Sequence, residues 1–325
     1  MAQSAAELTG PGSPHALGPT GVIARSPRQL FWARFKQDKL AIFGAILVLL
    51  MVLMALSAGL WEKYVIHHPF DEQYQGSPLP GGGFEPLMLS PFGTPLGPDK
   101  QFWFGADDIG RDLFVRVLYG ARISLKIAIL ATGLELLIGV TIGMLAGFFK
   151  GWVDTLMSRF MDLILSIPFL LLGIALSVVL GGGQGLVIFL ITFFGWPYIA
   201  RIVRGQVLSL RESQFVEAAY SIGASSRFIM FREILPNLVA PIVIYATLII
   251  PVNIIGEAGL SFLGVGVQEP NAAWGTMLAR ATKFVVNGAA WWYMFFPGMA
   301  LFLTVLGFNL LGDGLRDALD PKTGR

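Results

Sequence analysis

The sequence predicts an all-α integral membrane protein of about six transmembrane helices, and three observations carry that prediction. Hydrophobic residues make up 54% of the 325 and charged residues only 14%, against about 25% charged in a soluble domain. Several apolar runs reach the ~20 residues that cross a bilayer. Backbone polar groups cannot stay unpaired in hydrocarbon, so these runs must be helices. A net charge of +2 gives no reason to expect nucleic acid as a partner. The absence of cysteine excludes disulfides and thiolate metal sites.

Residues 1–24 are rich in Gly, Pro, Ser and Ala, lack the basic start of a secretory signal, and read as a disordered cytoplasmic tail. Residues 25–60 hold a basic amphipathic approach (Arg25, Arg28, Arg34, Lys36, Lys39) and a first span at 40–60. Residues 61–120 are punctuated by Ser77-Pro78, Pro80-Gly81-Gly82-Gly83, Pro91, Pro95 and Pro98 and carry an excess of acids. They are expected to form an extracytoplasmic loop region on the membrane surface, with no hydrophobic core of its own. His67 and His68 are adjacent and share no helix face, and His15 lies on the other side, so no metal site is expected.

Residues 121–313 are expected to hold five more spans, at 123–149, 159–180, 185–202, 238–262 and 291–311, with a polar segment at 205–237. Residues 314–325 form a second cytoplasmic tail. Lys36, Lys39, Lys150, Arg201, Arg204, Arg211, Arg227 and Arg232 flank the spans on one side. The positive-inside rule therefore places both termini and the 205–237 segment in the cytoplasm. Arg122 and Lys126 run against that trend.

Within the spans, Gly133, Gly139, Gly143 and Gly147 lie at helical spacing, and Gly139, Gly143 and Gly147 form a small-residue ridge of the kind that lets helices pack closely in lipid. Glu135 shares that helix. An ionised carboxylate is costly in hydrocarbon, so it is expected on a water-filled pathway or against a polar partner. Arg159 and Asp162 can pair at i,i+3, and Pro168 should kink the third span. Residues 181–185 (GGGQG) form an external turn, and Trp196-Pro197 should disturb the fourth span. Pro241 and Pro251 are expected to interrupt the fifth. Its broken outer end, with Glu257, Ser261 and Phe262, is a candidate gate.

Two polar segments carry the sharpest patterns. Residues 214–237, QFVEAAYSIGASSRFIMFREILPN, place Glu217, Ala218 and Ala219 before Gly223 and end on Leu235-Pro236. The expected local structure is a short helix, a glycine bend, a second short helix and a proline in the first turn of the next span. Two adjacent alanines add no bulk, so another protein's surface can come close. Residues 104–125, FGADDIGRDLFVRVLYGARISL, place Asp107, Arg111, Asp112 and Arg116 where they can form an ion-pair network that holds this loop to the second span.

These segments resemble known motifs. The first is similar to the EAA loop of ABC importer permeases, with Glu233 standing where many members carry an apolar residue. The second resembles the G-x-D-x-x-G-R-D…R-x-x-Y-G-x-R-x-S-L segment of the dipeptide, oligopeptide and nickel permeases. The run from Glu257 to Gly266, then Trp274-Gly275, resembles that group's E-A-A-L-S-F-L-G-L-G…W-G segment, with Gly259 in place of alanine. The ending FNLLGDGLRDALDP matches as well.

The resemblance spans nearly the whole chain and implies the type I ABC importer permease fold in a bacterial inner membrane. It implies that Glu217, Ala218, Ala219, Gly223, Ala224, Arg227, Leu235 and Pro236 dock an ATPase. It implies as partners a second homologous permease subunit, two ATPase subunits that hold ATP and Mg, and an extracytoplasmic substrate-binding protein. The chain has no G-x-x-x-x-G-K-[ST] phosphate loop of its own. Di- or oligopeptide cargo is expected over nickel, because no histidine or cysteine lies in any span. The competing readings are a gradient-driven secondary transporter with Glu135 as coupling carboxylate, and a membrane anchor that transports nothing.

Overall fold

A computed structural model describes residues 27–77, 85–286 and 288–319. The expected tail 1–24, Arg25, the turn at Pro78 and Pro80–Gly83, and the last part of the C-terminal tail lie outside the described residues. The described chain is helical: α1 (Pro27–Phe35), α2 (Lys39–Trp61), α3 (Leu113–Phe149), α4 (Gly151–Ser166), α5 (Phe169–Leu180), α6 (Gln184–Arg211), α7 (Gln214–Ser221), α8 (Ser226–Phe228), α9 (Leu235–Phe262), α10 (Trp274–Val285) and α11 (Trp291–Leu319). Among the described residues there is no strand, only isolated bridges such as Gln75 with Leu87. Five helices are long and apolar enough to cross a membrane, or six if the bent pair α4–α5 counts as one span.

Capping fixes where two of the long helices begin. Asp38 accepts from the N–H groups of Leu40 (2.9 Å) and Ala41 (3.1 Å) at the start of α2. Asp112 does the same for Phe114 (2.9 Å) and Val115 (3.3 Å) at the start of α3. Each cap satisfies N–H groups that a helix leaves unpaired and contributes about 1 kcal/mol. Because Asp112 caps it, α3 begins at Leu113, ten residues before the expected span, and takes over the end of the 61–120 stretch.

The glycine ridge of α3 packs on α6. A Cβ at Gly139 would lie 2.7 Å from Ile199 Cβ, one at Gly143 2.5 Å from the Ala200 carbonyl, and one at Gly147 2.8 Å from Val207 Cβ. Contacts on both helices advance in the same direction, so α3 and α6 run parallel, with α4–α5 as the crossover. Gly133 has open space around it and takes no part. Helices α2 and α11 approach in the same way, with Gly44 against Leu310 and Gly307, and Gly314 against Ala41. The start of α2 and the end of α11 therefore share one end of the bundle.

Several proline expectations need correction. Pro241 and Pro251 sit inside an unbroken α9, and Pro197 sits inside an unbroken α6. Backbone groups that proline frees in a membrane helix can be re-satisfied by neighbouring helices. The third span, by contrast, is more than kinked. Helices α4 and α5 meet at Ile167-Pro168 with a bend of 74°.

Helix α4 is tied to α6 by ion pairs. Asp154 accepts from Arg204 Nε (2.5 Å) and Nη2 (2.7 Å), and Asp162 accepts from Arg201 Nη2 (2.5 Å). Arg159 lies 3.7 Å from Asp162, the expected i,i+3 pair.

The stretch before α3 also differs from expectation, because it has a small core of its own. Tyr74, Met88, Phe102 and Ala106 are buried together, and the His68 ring stacks on Phe102 at 4.5 Å. Its chain reverses at Gly105 and Gly110, both with positive φ. A Cβ at Gly105 would lie 2.8 Å from the Leu96 carbonyl, so only glycine fits there.

Candidate functional site

Three groups of residues carry the chemistry. The first is the segment between α6 and α9. Helix α7 ends where Gly223 takes φ +79, a left-handed conformation that side chains with Cβ resist. The turn is closed by the Gly223 N–H to Tyr220 O (3.0 Å) and the Ala224 N–H to Ala219 O (3.0 Å). Ser225 then caps α8, its hydroxyl accepting from the Phe228 N–H (3.4 Å).

The expected second short helix is not a separate element. Ser226–Phe262 forms one span, with a π-helical turn at Ile229–Ile234 running directly into α9. Pro236 follows the π-helical turn at the start of α9.

The two alanines of this segment do different jobs. Ala218 is exposed, as are Glu217, Arg227 and Pro236. Ala219 is buried with Val216, Ile229, Met230, Ile234 and Leu238, in the cluster that seats α7 on α3, α6 and α9. The expectation that both alanines face a partner is therefore corrected. Leu235 is half-buried against that cluster, and so is Ala224. Sequence reasoning passed over Ile222, which is 83% exposed beside Ala218. An isoleucine within a polar stretch was the available signal.

The second group lies among the membrane helices. Glu135, on α3, is fully buried. Its Oε2 accepts from Asn253 Nδ2 on α9 (3.1 Å), which also donates to Thr132 Oγ1 (2.9 Å). Its Oε1 has no hydrogen-bond partner among the described residues, and Glu135 is one of the residues lining a cavity of about 580 Å³ between α3, α4, α5, α6 and α9. Glu257 is different. Both of its oxygens are occupied, by Ser124 Oγ (2.6 Å) and Ser261 Oγ (2.7 Å). It fastens the far end of α9 to α3.

Ser261 also accepts from Val267 N–H (3.2 Å), so it closes the loop after α9. Phe262 is exposed at the end of an unbroken helix. The candidate gate residues thus separate. Glu257 and Ser261 are fully engaged within the chain, whereas Glu135 lines the cavity described above.

The third group is an ion-pair network before α3. Arg111 Nε donates to Asp107 Oδ2 (2.6 Å), and its Nη1 to Glu269 Oε2 (2.6 Å). Arg116 lies 3.3 Å from both Asp107 and Glu269. Asp112 does not join, since its carboxylate caps α3 and meets His68 Nδ1 at 2.7 Å.

The reach of this network was not anticipated. Glu269, in the α9–α10 loop, binds Arg111, Arg116 and Arg280. Asp108 receives Arg280 Nη1 (2.9 Å) and the Tyr293 hydroxyl (2.9 Å). Burial pushes the Glu269 carboxyl up, but the Arg111 hydrogen bond and the charges of Arg116, Arg111 and Arg280 outweigh it. The group stays below its ordinary value. Burial likewise disfavours the Arg111 charge, and Glu269 and Asp107 more than compensate.

A bundle of five or six apolar helices, with a cavity between α3, α4, α5, α6 and α9 and a solvent-exposed helical turn seated on its core, defines a multi-pass membrane protein. Comparison with known proteins makes this specific. Residues 139–325 match the family described as binding-protein-dependent transport system inner membrane component. Residues 26–77 match the N-terminal transmembrane domain of oligopeptide transport permease C.

The glutathione transport system permease protein GsiD of Pectobacterium atrosepticum is 40% identical over 301 residues, 92% of each chain. The dipeptide transport system permease protein DppC of Alkalihalophilus pseudofirmus is 39% identical over 299 residues, 92% of this chain and 91% of that one. The fold is that of a chain in an inward-facing structure of the MetNI methionine ABC transporter. That match has a TM-score of 0.53 at 20% identity and covers 63% of this chain and 96% of that one.

The chain belongs to the binding-protein-dependent transport system inner membrane component family. It is a permease subunit of an ABC importer with the type I fold.

Proposed function

We propose that this permease carries di- or oligopeptides into the cell by alternating access, driven by ATPase subunits that dock on α7 and the Gly223 turn. The observation that carries this reading is the split of the two alanines. Ala219 locks α7 to the bundle, while Glu217, Ala218 and Ile222 present a small, partly apolar surface to a partner. ATPase closure would move α7 and α9 together as a rigid unit, and each ligand would shift the balance between the two states by its preference for one. Peptide cargo is supported by relatives named for glutathione and dipeptide transport.

The assembly we infer holds a second homologous permease, two ATPases with ATP and Mg, and an extracytoplasmic binding protein. Both termini and α7 lie in the cytoplasm, in keeping with Lys39, Lys150, Arg201, Arg204 and Arg211 at the α7 end of the bundle.

The test is uptake of radiolabelled dialanine into proteoliposomes holding the purified complex. Uptake should require ATP, the ATPase subunits and the binding protein together. Uptake driven by a proton or sodium gradient after the ATPases are stripped would overturn it in favour of a secondary transporter.

A further inference from the structure

We infer that Glu135 and Asn253 form a transit site for the ammonium group of the cargo, inside the permease itself. The inference rests on the peptide reading above only for the choice of cargo.

The geometry is that of a built site. Glu135 is fully buried, yet one carboxylate oxygen, Oε1, lacks any partner among the described residues. A buried acceptor left empty costs free energy comparable to a lost hydrogen bond, more when it carries charge. Glu135 and Asn253 both line a cavity of about 580 Å³, within the size range of small-molecule sites.

Around it the walls are apolar: Leu165, Ile167, Phe169, Ile191, Phe194 and Val252. Glu135 is the one carboxylate among the described lining residues. Its second oxygen is held by Asn253, which is oriented in turn by Thr132, so the carboxylate is aimed before any ligand arrives.

Room for the carboxylate is made by Gly195, where a Cβ would fall 1.9 Å from Oε1. The vacant acceptor needs a donor, and a carboxylate in apolar walls favours a cationic one. A primary ammonium with a small apolar body fits both the charge and the walls. A free peptide α-amino group is such a cation.

The assembled importer in proteoliposomes, supplied with its binding protein, tests this through dialanine entry and ATP turnover measured in the same vesicles. Glu135→Gln removes the charge and keeps the shape, while Glu135→Asp keeps the charge. Loss of one charge-assisted hydrogen bond predicts roughly tenfold less dialanine delivered per ATP in Glu135→Gln, with partial recovery in Glu135→Asp. Wild-type delivery per ATP in Glu135→Gln overturns the site. An equal loss in both variants, with a lowered melting midpoint of the solubilised complex, makes the group purely structural and also overturns it.

Should the wild type import no dialanine at all, the peptide reading fails separately. The site is then read by calorimetric binding of n-butylammonium to the solubilised complex. Binding lost in Glu135→Gln supports it, and equal binding in the two overturns it.

Discussion

Gly195 on α6 leaves empty the space that the Glu135 carboxylate of α3 occupies, since a Cβ at position 195 would come within 1.9 Å of Oε1. Two residues sixty positions apart thus share one volume. Gly195→Ala should push the carboxylate off Asn253 and overpack the helix pair, which typically costs about 1–3 kcal/mol. The expected outcome is a lowered melting midpoint of the solubilised complex, recovered in part by adding Glu135→Ala. Identical midpoints for wild type and Gly195→Ala would show that the carboxylate has room elsewhere.

The α3–α6 seam makes a second prediction by contrast. Gly143→Ala places a methyl 2.5 Å from the Ala200 carbonyl, a backbone atom that cannot step aside. It should destabilise by a few kcal/mol. Gly133→Ala meets nothing within 4 Å, and alanine's better helix propensity predicts a gain of up to about 1 kcal/mol. Reversible thermal or denaturant unfolding in detergent ranks the pair.

Helix α7 predicts a separation of binding from stability. Ala218→Leu and Glu217→Lys alter an exposed surface, and should reduce ATPase recovery in pull-downs while leaving the melting midpoint in place. Ala219→Leu overpacks the buried cluster, so it should lower the midpoint by an amount equivalent to about 1–3 kcal/mol. The reverse pattern would mean that α7 docks through its other face.

Gly223 tests the turn. Any residue with Cβ must adopt φ near +79 there, a strain of about 1–2 kcal/mol. Gly223→Val should lower ATP-driven uptake with the protein still inserted in the membrane, and Gly223→Asn, which tolerates this conformation, should retain most of it. Equal uptake by all three would remove the turn from the coupling route.

The Glu269 cluster makes the pH prediction. Its folded value lies below the ordinary carboxylate range, so its contribution is complete above the unfolded value of about 4.3 and is lost as pH falls through the depressed folded value. The difference in melting midpoint between wild type and Glu269→Gln should therefore be constant near neutrality and shrink in acid. Arg111, Arg116 and Arg280 face this carboxylate and remain charged over that range. A difference that grows in acid would contradict the ion-pair arrangement.

The transmembrane helices were legible because the bilayer imposes a length and an apolar composition that each run displays on its own. The Gly139, Gly143 and Gly147 ridge was legible for the same reason, since small residues at helical spacing need no partner sequence to be seen. The contacts of Glu269 with Arg111 and Arg116, and of Asp108 with Arg280 and Tyr293, were hidden because these partners lie more than a hundred residues apart in sequence, and only the fold brings them together. The prolines misled in both directions. Pro251 is absorbed by a supported helix, whereas Pro168 sits where the chain turns through 74°, and composition does not distinguish the two settings. The different fates of Ala218 and Ala219 depend on the rotation of one short helix about its axis, which a pattern of two identical residues cannot encode.

The unbroken run from Ser226 to Phe262, 37 residues long, has a mechanical meaning. Its α-helical part, the 28 residues of α9, is about 42 Å long at 1.5 Å per residue, joined through the π-helical turn to Gly223 at one end and anchored through Glu257 to Ser124 at the other. A tilt of a few degrees imposed at the first end displaces the second by several ångströms. If an ATPase docks at the Gly223 turn as proposed, its stroke would reach the far end of the span as through a crankshaft, with no relay of side-chain rearrangements in between.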